Sequence, residues 1–316
     1  MTAAELLAGL EKRGLRARLV SIERLEDTRE RIESLHRQGQ FDNEFYDERL
    51  ARFEFRPPAE LPGARSIVVV AVPQPQYRLV FHWRGHEIPA RVPPTYLFWQ
   101  ATNKLVLDAV NGLLAPHGLR AAAASLPIKT LVVHSGLGRY GRNNLTYVDG
   151  LGSFHRPVAV CTDLPAEDAG WQEPRMLDAC ERCSACRRAC PTGAIGEDRF
   201  LLHAERCLTF LNEKPGDKPF PDWVRSPGHE CLVGCMYCQR VCPENRPFRD
   251  KVQPGPEFSE EETVLLLEGT ALDRMPIGLR KKLEAHDLVE YLDTMPRNLG
   301  AIIHRARRQP KPKEAR

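Results

Sequence analysis

The amino-acid sequence predicts an α+β protein in three parts, and three observations carry that prediction. Helical and strand patterns mix over residues 1–172 without a strict β-α-β rhythm, which favours a mixed sheet over a parallel one. Nine of the ten cysteines fall between Cys180 and Cys242. Beyond residue 252 the pattern turns helical. The parts so read are a mixed-sheet domain (1–172), a cysteine-rich module (173–252) and a short helical region with a basic tail (253–316).

The elements follow in order. Leu6, Leu7, Leu10 and Leu15 fit a first amphipathic helix, and a second runs from about Ile22 to Gln38 with Gly39 as its stop. Asn43–Pro58 is charged and aromatic with no clear period. Ser66–Val72 is rich in β-branched residues and bounded by Gly63 and Pro73, which predicts a buried strand. Thr95 is placed to cap a helix reaching Leu114. Short apolar stretches at Ala121–Ala124, Thr130–His134, Leu145–Val148 and Val158–Thr162 predict further strands. Ser259 with Glu262 reads as a capping box, and later helices cover Gly278–Leu292 and Asn298–Arg307.

Composition narrows the function. The longest purely apolar run, Ile67–Val72, is far short of the ~20 residues of a membrane span. Glu5, Glu11, Lys12 and Arg13 break any apolar signal core, so a cytoplasmic protein is expected. The net charge is +3, yet the last twelve residues hold six Lys/Arg and one Glu, leaving −2 on the rest. That slightly acidic body speaks against nucleic acid as a partner.

In such a setting a dense cysteine cluster holds metal rather than disulfides. Cys180, Cys183, Cys186 and Cys190-Pro191 form the C-x-x-C-x-x-C-x-x-x-C-P run that binds iron–sulfur clusters. Two-residue spacers aim three thiolates at three corners of one cube, and the fourth cysteine points away to another. Cys207 with Cys235, Cys238 and Cys242-Pro243 supplies the second set. The expected ligands are therefore Cys180, Cys183, Cys186 and Cys242 for one 4Fe–4S cluster, and Cys190, Cys207, Cys235 and Cys238 for the other. Zinc, which usually takes two cysteine pairs 15–20 residues apart, fits this packing poorly. Cys231 is an alternative to Cys207, and Cys161 reads as a buried apolar thiol in a strand. Two such clusters form a wire for single electrons, calling for a donor such as a ferredoxin or flavodoxin.

Gly136, Gly138 and Gly141 match G-x-G-x-x-G, but poor helix formers follow. A dinucleotide site, which needs a helix there, is disfavoured against a loop packed close to a flat ligand or cluster.

With both cysteine runs and this loop in view, the chain resembles the epoxyqueuosine reductase family, itself related to the corrinoid reductive dehalogenases. The likeness includes Leu61-Pro62-Gly63, the Gly136–Leu145 loop, Gly152-Ser153-Phe154, Arg206-Cys207 and Arg297-Asn298-Leu299. It implies two 4Fe–4S clusters and a cobalamin between a ferredoxin-like module and a nitroreductase-like sheet domain. It also implies that Gly136, Gly138, Gly141, Arg142, Asn143, Gly152, Ser153 and Phe154 line the corrin side. The chain departs where the family places its proton-donating acid, three residues before a Pro-Ile pair: Ala124 stands there, ahead of Pro127-Ile128. The family's Arg-Tyr-…-Asp-Tyr-His segment is replaced by Pro93–Trp99, and the helical extension used on tRNA is short. These departures point to a divergent paralogue that reduces a small molecule. Tyr140 is the first candidate for the missing acid, ahead of Lys129, Arg142 and His134. Trp83, Tyr96, Phe98 and Trp99 are candidates for an aromatic wall. A non-catalytic electron carrier and an epoxyqueuosine reductase with an altered donor are the alternatives.

Overall fold

A computed structural model describes residues 1–166, 170–224 and 229–308 of the chain. The helices are α1 (Ala3–Glu11), α2 (Arg24–Arg37), α3 (Asn43–Phe45), α4 (Trp99–Leu114), α5 (Ile128–His134), α6 (Ala185–Ala189), α7 (Leu208–Asn212), α8 (Tyr237–Arg240), α9 (Glu260–Leu267), α10 (Ile277–Ala285) and α11 (Met295–Arg308). The strands are β1 (Arg16–Ser21), β2 (Ser66–Pro73), β3 (Gln76–Trp83), β4 (His86–Val92), β5 (Ala121–Ala123), β6 (Arg139–Tyr140), β7 (Thr146–Tyr147), β8 (His155–Thr162) and β9 (Val252–Phe258).

A four-stranded antiparallel sheet, ordered β1-β2-β8-β5, is the middle layer of the N-terminal part. β2 is buried on both faces, which explains its unbroken apolar run. Val68, Val70 and Val72 pack with α1 and α4, while Ile67, Val69 and Ala71 pack with Leu25 of α2 and with α5. That split is the period of two of a pleated strand.

Several expectations change here. Thr130–His134 lies in helix α5, not in a strand, and Leu131, Val132 and Val133 bury on the sheet. Pro127 precedes this helix, where a missing N–H costs little. Leu15 follows Gly14, whose φ of +76° turns the chain out of α1 and into the unforeseen strand β1. Thr95 does not cap α4; Phe98, at φ +57°, precedes its first residue.

The second sheet, ordered β4-β3-β9, is mixed: β3 pairs antiparallel with β4 and parallel with β9. The β3–β4 hairpin turns at Arg84-Gly85, both at positive φ, as two-residue hairpin loops demand. β9 occupies the start of the region read as helical. It carries Pro254 and Pro256, tolerated because it lies at a sheet edge. Its Phe258 stacks on Phe81 with ring centroids 4.7 Å apart. One core joins Leu79 and Phe81 to Leu232, Leu266, Leu283 and Leu299, so the hairpin and the C-terminal helices are packed together. The Ser259–Glu262 capping box forms as expected, and α10 ends at Ala285, short of Leu292. The basic tail lies, from residue 309 on, outside the described residues. Among the described residues no helix is long and apolar enough to cross a membrane.

Candidate iron–sulfur centre and adjoining cavity

The two cysteine runs fold alike. Cys186 sits on α6 and Cys238 on α8, short helices that pack against each other. Each helix is followed by a cysteine in extended conformation, Cys190 at ψ 115° and Cys242 at ψ 125°. The following prolines, Pro191 and Pro243, impose that conformation and turn the thiol out of its own run.

The thiols thereby mix between runs. The charge of Cys242 acts on Cys180 and Cys186, which also feel Cys183. Cys231, Cys207 and Cys190 act on Cys235, Cys190 acts on Cys207, and Cys238 feels Cys235, Cys207 and Cys186. Each run therefore has thiols close to those of the other, and Cys231 stands as near to Cys235 as the expected ligands do. Burial is the main cause that raises the pKa of Cys180 and Cys207, takes Cys186 to about 11, and drives Cys235 and Cys238 well up. Bound metal would offset that by holding the thiolates.

Backbone amides already point at the sulfurs. Arg142 N–H donates to Cys180 Sγ at 3.4 Å and Ala194 N–H to Cys190 Sγ at 3.3 Å. The Arg142 guanidinium donates to the carbonyls of Cys183 (3.0 Å) and Cys180 (2.5 Å). Cys231 is buried beside Phe154 and Met236, and burial pushes its thiol up to about 12. Cys161 is fully buried in β8.

The glycine loop serves packing. A Cβ on Gly138 would meet the Tyr147 carbonyl at 2.6 Å, and one on Gly141 the Tyr147 ring at 2.4 Å. Gly136 meets Gln172 in the same way. Gly152, at φ +57°, lies against fully buried Asn245, whose Oδ1 accepts Ser153 N–H at 2.9 Å. This seam joins the sheet domain to the second cysteine run.

Two cavities open beside the second foursome. The smaller, of about 360 Å³, is bordered by Cys190, Cys207, Cys235 and Cys238 on one side and by Asn143, Ser153 and Tyr96 on the other. The larger, of about 780 Å³, is walled by Phe41, Phe45, Phe53, Phe200 and Phe210, with Tyr140 and Arg49. Ile128, Lys129, Leu202, Cys207 and Thr209 border both. Of the residues expected on the corrin side, Asn143 and Ser153 reach a cavity. Gly136, Gly138, Gly141, Arg142, Gly152 and Phe154 line neither. Of the expected aromatic wall only Tyr96 reaches one; its hydroxyl donates to Glu213 at 2.5 Å. Trp83 and Phe98 pack on the C-terminal core, and Trp99 Nε1 donates to Glu290.

Tyr140 borders the larger cavity, but burial raises its pKa, the wrong direction for an easier donor. Lys129, the next candidate from sequence, is the opposite case. Its side chain is exposed and borders both cavities. Desolvation lowers its pKa, partly offset by Cys207, Glu213 and Cys238. Asn43–Phe53, aperiodic in sequence, forms α3 and a π-helical turn beside the larger cavity.

The fold and site define a two-cluster iron–sulfur module seated on an α+β sheet domain. Residues 179–245 match the family described as the 4Fe-4S double cluster binding domain. The whole chain is similar to the epoxyqueuosine reductases. It is 26% identical to that of Staphylococcus aureus over 77% of this chain and 64% of the relative. It is 34% identical to that of Pseudomonas aeruginosa over 44% of this chain and 38% of the relative. The chain thus matches less than two thirds of these relatives' length. The fold is like that of the Streptococcus thermophilus epoxyqueuosine reductase, with a TM-score of 0.66 and 16% identity over 96% of this chain and 81% of that one. A second epoxyqueuosine reductase, solved with a modified tRNA-Tyr stem loop, gives a TM-score of 0.65 and 21% identity over 96% of this chain and 80% of that one. Nucleic acid is therefore bound by a structural relative.

Proposed function

We propose that this chain is an iron–sulfur reductase that carries electrons through two 4Fe–4S clusters to a small substrate in the cavity pair. The supporting observation is that the second foursome of thiols borders both cavities through Cys207. Cys180, Cys183, Cys186 and Cys242 hold one cluster, and Cys190, Cys207, Cys235 and Cys238 the other. Amide donors such as Arg142 N–H stabilise thiolate charge and thereby set the reduction potential.

The space would also take a bulky ligand such as a cobalamin. Asn143 and Ser153 border the smaller cavity on the sheet-domain side, their side chains bonded to Tyr147 and to Gln239 and Asn245, and the larger cavity adjoins it. Bound there, the cobalamin would supply a metal centre able to take electrons singly and act on the substrate. Within this site Lys129 is the group we assign to hold the proton delivered to the product, because desolvation loosens its proton and tightens that of Tyr140. The rings of Phe41, Phe45 and Phe53 exclude water from that space.

A second reading is reduction of epoxyqueuosine in tRNA with a changed proton donor. The names of the relatives and the tRNA-bound neighbour favour it; Ala124 in place of the acid speaks against it.

Anaerobic reconstitution tests the main reading. About eight irons per chain and a shift of the visible bands of added cobalamin are expected. Iron well below that number refutes the cluster model. Intact clusters without cobalamin binding favour the carrier. Turnover of a modified stem loop establishes the second reading.

A further inference from the structure

Resting on the two-cluster reading, we propose a direction for the wire and a partner for its outer end. Electrons enter at the cluster held by Cys180, Cys183, Cys186 and Cys242, through a basic face that docks an acidic one-electron carrier protein. They leave at the other cluster, beside the cavity. Each step moves one electron: the carrier is oxidised by one and the cluster reduced by one.

The first observation is which surface each group of thiols shows. Cys190, Cys207, Cys235 and Cys238 are partly exposed and all four border the smaller cavity. Cys180, Cys183 and Cys242 are equally partly exposed but line neither cavity. A protein donor approaching from outside meets this group, while the other faces the cavity.

The second observation is charge. Exposed Arg182 and Arg188 stand in the first run, and exposed Arg246 and Lys251 follow Cys242 in the second. None of the four has an ion-pair partner among the described residues. Two other exposed charges of these loops lack one, Glu181 and Glu244, so cations are in excess. The body of the chain is slightly acidic, so this face is a local feature. Val241, adjacent to Cys242 and five residues before Arg246, is an exposed apolar residue. Exposed apolar surface together with charges suits a transient interface. Unpaired cations speed encounter with a partner of opposite sign.

The test uses the full-length, anaerobically loaded protein and a reduced, acidic flavodoxin as probe. Bleaching of the cluster absorbance is followed by stopped flow. The wild-type second-order rate is expected to fall at least about tenfold between about 0.01 and 0.3 M salt. The triple variant Arg182→Glu, Arg188→Glu, Arg246→Glu is expected to lose about tenfold at low salt. It should keep about eight irons and the wild-type extent of reduction by dithionite. The single variant Arg246→Gln gives a smaller loss and serves if the triple variant loads poorly. A rate that does not fall with salt, or a triple variant as fast as wild type, overturns the proposal. So does a triple variant that loses binding to an RNA stem loop while its donor rate stands. A wild type that holds too little iron instead overturns the two-cluster reading beneath it.

Discussion

Replacing Asn245 by alanine tests the seam between the sheet domain and the second cysteine run. The Asn245 side chain is fully buried and makes three hydrogen bonds at 2.9 Å: its Oδ1 accepts Ser153 N–H, and its Nδ2 donates to Ser153 Oγ and to the Gln239 carbonyl. Ser153 Oγ retains Gln239 Oε1 at 3.3 Å after the change and the Gln239 carbonyl retains the Cys242 N–H at 3.3 Å, but Ser153 N–H loses its partner. One orphaned buried polar group costs ~1–3 kcal/mol. In a chain this long that lowers the melting midpoint by on the order of 5 °C. The assay is anaerobic melting of the loaded protein, read both by helix content and by the cluster absorbance. The two readings should shift together, and iron should pass faster to a chelator, because Asn245 lies three residues beyond Cys242. A midpoint within about 1 °C of wild type, with iron retention unchanged, refutes the claim that this side chain holds the seam.

Crossed ligation predicts that Cys190→Ala removes the same EPR signal as Cys238→Ala and leaves that lost by Cys183→Ala, with iron falling from about eight to about four per chain. If Cys190→Ala instead abolishes the signal lost by Cys183→Ala, the crossing is wrong. Cys231→Ala should keep about eight irons where Cys207→Ala does not; the reverse result would make Cys231 the ligand. Burial lowers the pKa of His155 to about 4, so the fold keeps its ring neutral. The stability this contributes is complete above the unfolded value of about 6.5 and is lost as pH falls toward 4, by about 3 kcal/mol in all. Melting curves of His155→Gln between about pH 7.5 and 5 should accordingly lose less stability than wild type, and parallel losses would refute this.

What the sequence shows of this protein depends on how local the cause is. The cysteine spacings are set by a tight turn and a following proline, and Cys190 and Cys242 fold as those turns require. The run Ile67–Val72 is legible because a strand buried on both faces must be apolar at every position. Thr130–His134 misleads because β-branched residues suit either a strand or a helix lying on a sheet, and only the packing of Leu131, Val132 and Val133 decides. β9 is hidden by its prolines, which a sheet edge tolerates and a sequence window cannot place. The Arg84-Gly85 turn between two alternating runs was a readable signal for the hairpin.

Lys129 could be named from sequence only as a candidate behind Tyr140, for a different reason. Its environment is assembled from Glu213, Cys207 and Cys238, residues about 80 to 110 positions away, so no window of sequence contains it. Its position nonetheless bears on the chemistry. Ala124, where the resemblance leads one to expect a carboxylic acid, lines neither cavity, while Lys129 is a cation bordering both a few residues on. An ammonium with a desolvation penalty has two ways to lower its free energy: it gives up its proton, or it gains a negative neighbour. A reduced cluster held by Cys207 and Cys238 would be such a neighbour: Lys129 would hold its proton more firmly while the cluster is reduced and release it more readily once the electron has passed on. A carboxylic acid in the same place would respond in the same sense but starts from the opposite charge, and its anion would oppose reduction of the neighbouring cluster. The exchange of an acid for a lysine is therefore a change in how the proton and the electron are coupled.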